Sequence, residues 1–449
     1  MTSASRRLRA AALIAVAAFV LAACTGTEVL GGGSEPSPAA PVPSSPEERS
    51  PDPSGPGSSA AAAERLCEIP EPKPNQDSGA PAEGPTPPVI AQVMRQVEQL
   101  RGFDYDHPVV AEAVSQAEIG REVVDYADLA YPRGQYERRS VAWDTIGVIP
   151  DGTDLRTAYE DYGSSQVIGY YDTITGTLKF TGTDDPSPLE RITLAHELTH
   201  AIDDQRFGLE RLDQLGAECR DEDSAAATAL VEGNATFFML RWAQTFLSAA
   251  QQVQVGIEAG QQDTSTEGIP EFIVTLQAFP YDQGMRFVSA LDSRGGLDEV
   301  DRAFEELPAS TEQIIHPERY PNDAPTPVDV RDLSADLGPG WKDLDVMTIG
   351  EEWLQIALGL RLDTSQAETA AAGWDGGTYR AWSNGDDSAV VLSTVWDTAN
   401  DAAEFADAMN AWIADGDGSA TVPGPQGKRV NVLFASDDAT LETLRAAAS

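Results

Sequence analysis

Ser187-Pro188-Leu189-Glu190, followed by Thr193-Leu194-Ala195-His196-Glu197-Leu198-Thr199-His200-Ala201, is the stretch on which the reading of this chain turns. Ser187 suits an N-cap, Pro188 the first helical position and Glu190 the third. Together they form a capping box that starts a helix over 187–207, with Gly208 as its stop. At 100° per residue, His196 and His200 lie about 40° apart on one face, with Glu197 to one side. Leu194, Leu198, Ala201 and Ile202 take the opposite face. The helix is therefore expected to be buried behind and to carry its ionisable groups in front. Two imidazoles one turn apart can reach a single ion, and His-Glu-x-x-His on a helix is a pattern that holds zinc beside a general base. The five-residue pattern also recurs by chance, but the chain has four histidines in all and two of them form this pair.

Tetrahedral zinc needs a third protein ligand and an open position for water. The candidates are Glu232, His316 and His107. Glu232 lies in Leu230-Val231-Glu232-Gly233-Asn234-Ala235, 32 residues beyond His200 (232 − 200). A carboxylate in an apolar helical segment is costly to bury without a partner, and a metal would supply one. Gly233 would let this helix approach the first closely. His107, next to Pro108 in an early loop, reads as structural.

Away from the motif, 73 acidic residues against 30 basic ones give a formal charge of −43 over 449 residues. Such a surface repels nucleic acid phosphates and anionic lipid headgroups, which excludes both as general partners. Arg6, Arg7 and Arg9 precede an apolar run from Ala10 to Ala23 that is too short to span a bilayer well. That run ends in Leu21-Ala22-Ala23-Cys24, which resembles the lipobox of bacterial lipoproteins. The resemblance implies a signal peptide over 1–23, lipidation of Cys24, and a location on the extracytoplasmic face of the cell membrane. The lipid would be the only membrane anchor. With Cys24 so used, Cys67 and Cys219 remain in an oxidising compartment, and a disulfide between them is expected.

Residues 24–88 are dominated by Pro, Gly, Ser, Ala and Glu, a composition that buries too little apolar surface to order itself and predicts a disordered tether. Order is expected from Val89, with a helix over 89–100. Strands are expected at 140–149, 166–171 and 177–181, the last two as a hairpin. Further helices are expected at 224–247, 281–291, 297–307 and 310–315. A catalytic domain over 89–325 would then give way to a smaller α+β module over 340–449. The module reads as a helix from Thr348, a hairpin across Asn384-Gly385, a helix from Asn400, a strand over 429–435 and a last helix. Its Trp374, Tyr379, Trp382 and Trp396 read as core.

The hairpin, the motif helix and the later helix with Glu232-Gly233 resemble the gluzincin type of zinc metallopeptidase, and Asp204-Gln205 after the motif is similar to its exported bacterial members. The likeness covers about residues 140–320. It implies a zincin-like α+β catalytic domain: a small mixed sheet, the active-site helix and a mainly helical second half. It also implies one Zn2+ on His196, His200 and Glu232, with Glu197 as general base for attack of water on a peptide carbonyl. Better-known members place an Asp four residues after the ligand Glu, to orient a zinc histidine. Thr236 stands there in this chain, and Asp203 or Asp204 could serve instead. The tetrahedral oxyanion needs a further donor, for which His316 is the first candidate and Tyr320 the second. The partner would be a protein or peptide substrate, laid along the edge of the hairpin. Two other functions use the same residues: a zinc-bearing, non-proteolytic lipoprotein that binds a partner, and an amidase acting on cell-wall peptides.

Overall fold

Ser187 starts the motif helix as its sequence requires. Its hydroxyl accepts from the Glu190 N–H, and the Glu190 carboxylate accepts from the Ser187 N–H. Gly208 ends the helix in the left-handed conformation, its N–H donating to the Asp204 carbonyl. A computed structural model describes residues 57–67, 86–115, 118, 134–166, 169–173, 175–180, 185–261 and 265–448. The expected signal segment 1–23, Cys24 and most of the expected tether lie outside these residues.

Along the described chain come α1 (Ser59–Leu66), α2 (Pro88–Arg101), β1 (Val110–Ala113), α3 (Gln135–Ile146), α4 (Leu155–Gln166), β2 (Gly169–Asp172) and β3 (Thr177–Phe180). The motif helix α5 (Pro188–Phe207) is followed by α6 (Glu210–Ala217), α7 (Asp221–Phe246), α8 (Ala249–Ala259), α9 (Glu271–Gly295), α10 (Leu297–Glu305), α11 (Thr311–Ile315) and α12 (Ser334–Leu337). The last part comprises β4 (Lys342–Thr348), α13 (Glu351–Gly359), α14 (Thr364–Ala371), β5 (Trp374–Asn384), β6 (Asp387–Trp396), α15 (Ala399–Ala414), β7 (Ser419–Thr421), β8 (Arg429–Ala435) and α16 (Asp438–Ala448). The fold is thus α+β. A three-stranded sheet of order β1-β3-β2 has β1 parallel and β2 antiparallel to β3. A five-stranded antiparallel sheet has the order β4-β5-β6-β8-β7. Among the described residues no helix is long and apolar enough to cross a membrane.

The apolar face of α5 packs as its spacing demands. Leu194, Leu198, Ala201 and Ile202 share one core with Ile90, Val93 and Val97 of α2 and with Leu178 and Phe180 of β3. The five-stranded sheet is covered on both faces. On one, Trp374, Tyr379 and Trp396 join Trp143 of α3 and Phe272 of α9; on the other, Trp382 joins Leu441 and Leu444 of α16. Trp374, Tyr379, Trp382 and Trp396, read as core from the sequence, are at most 1% exposed.

Several expectations need correction. Residues 140–149 do not form a strand: α3 covers most of them and buries Arg139, Ala142, Trp143 and Ile146, a helical face, against β4 and β6. The β-branched Val141, Thr145 and Ile146 favour a strand locally, and tertiary packing overrides that preference. Thr348 closes β4 rather than opening a helix. Helix α9 begins at Glu271, ten residues before the expected Tyr281, and carries Pro280 inside it. The tether is not free throughout: α1 docks on β4, with Arg65 paired to Asp343 and Ser59 to Asp329. Cys67 is disulfide-bonded to Cys219, as expected.

Gly233 also meets a different helix from the one expected. A Cβ there would strike the backbone of Gly284, and one on Gly284 would overlap the Ala229 carbonyl, so α7 and α9 cross backbone against backbone. Neither side of that contact has a flexible side chain that could give way. Gly284→Ala is expected to destabilise the protein by about 3 kcal/mol, the upper end of overpacking costs, read as a lower urea midpoint. An unchanged midpoint would show that the two helices are not in contact here.

Where α7, α11 and α13 begin, carboxyl groups are buried together. Glu222 accepts from the Thr311 N–H and hydroxyl, Glu351 pairs with His316, and Glu312 pairs with Arg319. Burial, eased by the Thr311 bonds, raises Glu222 to about 7; burial, opposed by Arg319, raises Glu312 to about 8. A carboxyl raised on folding binds more protons in the folded state than in the unfolded one. Its stabilising contribution is full near pH 4.5 and lost as pH rises through 7 to 8. The thermal midpoint is therefore expected to climb as pH falls from about 8 to about 5, with Glu222→Gln flattening the climb. A variant as steep as the parent would rule Glu222 out as its source.

Candidate metal centre

Two helices supply the ionisable groups. Helix α5 presents His196, Glu197 and His200 from one face, all three buried. Helix α7 brings Glu232, whose side chain is 23% exposed. The Nε2 atoms of His196 and His200 are 3.1 Å apart, and a Glu232 carboxylate oxygen lies 3.1 Å from the first and 3.4 Å from the second. Among the described residues, these three form the group able to hold a metal ion. The chemistry of the set fits a divalent cation. Bonds of about 2.0–2.1 Å to tetrahedral zinc put neighbouring ligand atoms about 3.3 Å apart, and the three distances match one face of that tetrahedron.

The charges are shaped by burial and by each other. Burial raises Glu232, but His200 and His196 outweigh it and hold the carboxylate well below its ordinary range. Burial lowers His200, and Glu232 more than reverses this, bringing it to about 9. Glu197 is raised, chiefly by burial, against the opposing pull of His196 and His200. Its Oε2 accepts the Tyr171 N–H at 3.0 Å. That N–H points away from β3, so the outer edge of β2 borders the site.

One neighbour was missed in the sequence. Tyr281 of α9 stacks on the His196 ring, with centroids 6.1 Å apart and planes at 24°. The charge of Glu232, with burial, raises its hydroxyl well above the usual phenol range. Tyr281 lies 49 residues after Glu232 (281 − 232) and one helical turn before Gly284, so the Gly233–Gly284 crossing delivers it. No motif spacing signals this.

The remaining candidates fall elsewhere. His316 caps the end of α11 and pairs with Glu351 at 3.0 Å. The Tyr320 hydroxyl donates to the Glu306 carbonyl at 2.7 Å, and its ring is buried against Phe287. His107 is exposed and held to Gln205 at the end of α5. Asp203 is buried behind His200, bonded to Arg101 and Asn234, and its charge is felt at His200. Asp204 accepts from the Tyr171 hydroxyl at 2.9 Å and from the Leu209 N–H. Thr236 is buried with its hydroxyl unpartnered.

Comparison with known proteins adds little chemistry. Residues 341–446 match a domain of unknown function, DUF8575. No curated protein sequence matches the chain. A solved structure from Chloroflexus aurantiacus, described as a "putative hydrolase with a novel fold", is similar at 18% identity and a TM-score of 0.34. That match covers 58% of this chain and 95% of the other. At that score the likeness says nothing about mechanism. The case for function therefore rests on the cluster of His196, His200 and Glu232, with Glu197 and Tyr281 beside it.

Proposed function

We propose that this protein is a zinc metallopeptidase of the gluzincin type, tethered by a lipid on Cys24 to the outer face of a bacterial membrane. The observation that carries the reading is the 3.1–3.4 Å triangle of His196, His200 and Glu232 with Glu197 buried beside it. His196, His200 and Glu232 would hold one Zn2+. When bound, the ion supplies Lewis acidity, lowering the pKa of water and polarising a carbonyl. Glu197 takes the proton of the attacking water on its carboxylate and hands it to the departing amine. The Tyr171 N–H keeps its carboxylate in place. The substrate peptide adds as a strand along the outer edge of β2.

Tyr281 takes the role of oxyanion donor that the sequence suggested for His316 or Tyr320. Its ring already stacks on His196 and its hydroxyl feels the Glu232 charge, whereas the Tyr320 hydroxyl is held by a carbonyl and His316 by Glu351. The location outside the membrane is supported by the Leu21–Cys24 lipobox and by the Cys67–Cys219 disulfide.

The test is zinc content and cleavage of casein by protein lacking residues 1–24. One zinc per chain is expected, with cleavage abolished by a chelator and restored by zinc. Tyr281→Phe should lower kcat on the order of 10²-fold, the usual cost of an oxyanion donor, at unchanged zinc content. Folded protein that takes up no zinc would overturn the reading, and full activity in Tyr281→Phe would remove that residue from it.

A further inference from the structure

Arg101 is an unusual residue to find where it sits. Its side chain is 0% exposed, at the end of α2, with the rings of Phe103 and Phe238 at 4.6 and 5.1 Å. Its Nε donates to Asp203 Oδ1 at 2.8 Å and its Nη1 to Asp301 Oδ1 at 2.6 Å. The other oxygen of Asp203 accepts from Asn234 Nδ2 at 2.6 Å, and Asn234 is itself 0% exposed.

The sequence positions give this chain of bonds its meaning. Asp203 follows His200 by three residues on α5, and Asn234 follows Glu232 by two on α7. The 2.6 Å bond therefore spans the two ligand-bearing helices within one turn of the ligands they carry. A buried ion pair adds little stability over well-packed apolar side chains of the same volume. What it does supply is direction. Asp203 can only accept, so one oxygen is turned to Arg101 and the other to the Asn234 amide.

We propose that Arg101 and Asn234 are positioning residues for the metal centre, acting through Asp203 to set the spacing between His200 on one helix and Glu232 on the other. This rests on the metal reading above, and it concerns residues outside the ligand set. Because zinc bonds hold to within about 0.2 Å, slackness between the helices is read as lost affinity.

The experiment measures zinc affinity by competition with a chromophoric chelator, beside the thermal midpoint of the zinc-free protein. Asn234→Ala and Arg101→Lys are each expected to weaken zinc binding about 10–100-fold, as outer partners of metal ligands do. The exchanged pair Asp203→Asn/Asn234→Asp keeps a donor facing an acceptor across the helices and is expected to recover most of that loss. A purely structural role would lower the midpoint and leave the affinity of the folded protein alone. Should Asn234→Ala fail to fold, Arg101→Lys decides the question. Unaltered affinity in the folded variants, or no recovery in the exchanged pair, overturns the proposal. Parent protein that binds no zinc overturns the metal reading itself, and the two failures are thereby distinguished.

Discussion

Glu197→Gln is expected to leave zinc content unchanged while lowering peptide hydrolysis by about 10³-fold, within the range for loss of a general base. The replacement keeps the shape of the side chain, and its amide oxygen can still accept the Tyr171 N–H that Glu197 Oε2 accepts now. Helix α5 should therefore stay in place, with Leu194, Leu198, Ala201 and Ile202 still packed behind it. On the proposed mechanism, what disappears is the proton acceptor beside the metal ligands. Zinc by elemental analysis and kcat by a peptide assay separate the two effects. Loss of both together would mean that Glu197 is structural, and retained kcat would mean that another group takes the proton. A non-proteolytic zinc lipoprotein would have no hydrolysis to lose, so the parent assay also bears on that alternative.

Loss of the Cys67–Cys219 disulfide is expected to give the largest effect on stability, about 3–5 kcal/mol. The bond closes a loop with a sequence separation of 152, and loop-closure entropy for that length reaches about 5 kcal/mol at 25 °C. The other ties of the α1 segment are polar: Arg65 to Asp343, Ser59 to Asp329, and the Gly57 carbonyl accepting from the Asp332 N–H and from Arg380. Without the covalent link those bonds must hold the segment against its own chain entropy. Cys67→Ser should lower the urea midpoint, and a reductant should do the same to the parent but not to the variant. Equal stability of parent and variant would show that the bond contributes nothing.

How far the sequence carried the reading depended on where each signal lay. The motif helix was legible end to end, because its caps and its i, i+4 histidines are local. Glu232 was legible because a carboxylate among Leu230, Val231 and Ala235 is anomalous on its own helix. Tyr281 was not, since only the crossing of two glycines on different helices brings it to His196. Helix α3 was misread because its β-branched residues speak for a strand, while the decision lies with Trp143 and Arg139 against a distant sheet and Asp221. The α1 segment was taken as free because composition counts apolar surface, whereas its hold is made of hydrogen bonds and one disulfide. Arg101 left no trace in the pattern, being one arginine among many until the fold buries it.

The bond from the Tyr171 N–H to Glu197 has a consequence beyond holding a side chain. It favours the ionised carboxylate, so any shift of β2 that breaks it makes Glu197 bind its proton more tightly. Reciprocity requires the converse: a proton arriving on Glu197 loosens its grip on the strand by the same free energy. Since the Tyr171 hydroxyl is moored to Asp204 on the same helix, strand and helix are held at two points, one of which titrates. The edge that would receive a peptide and the basicity that would cleave it are in this way a single thermodynamic variable.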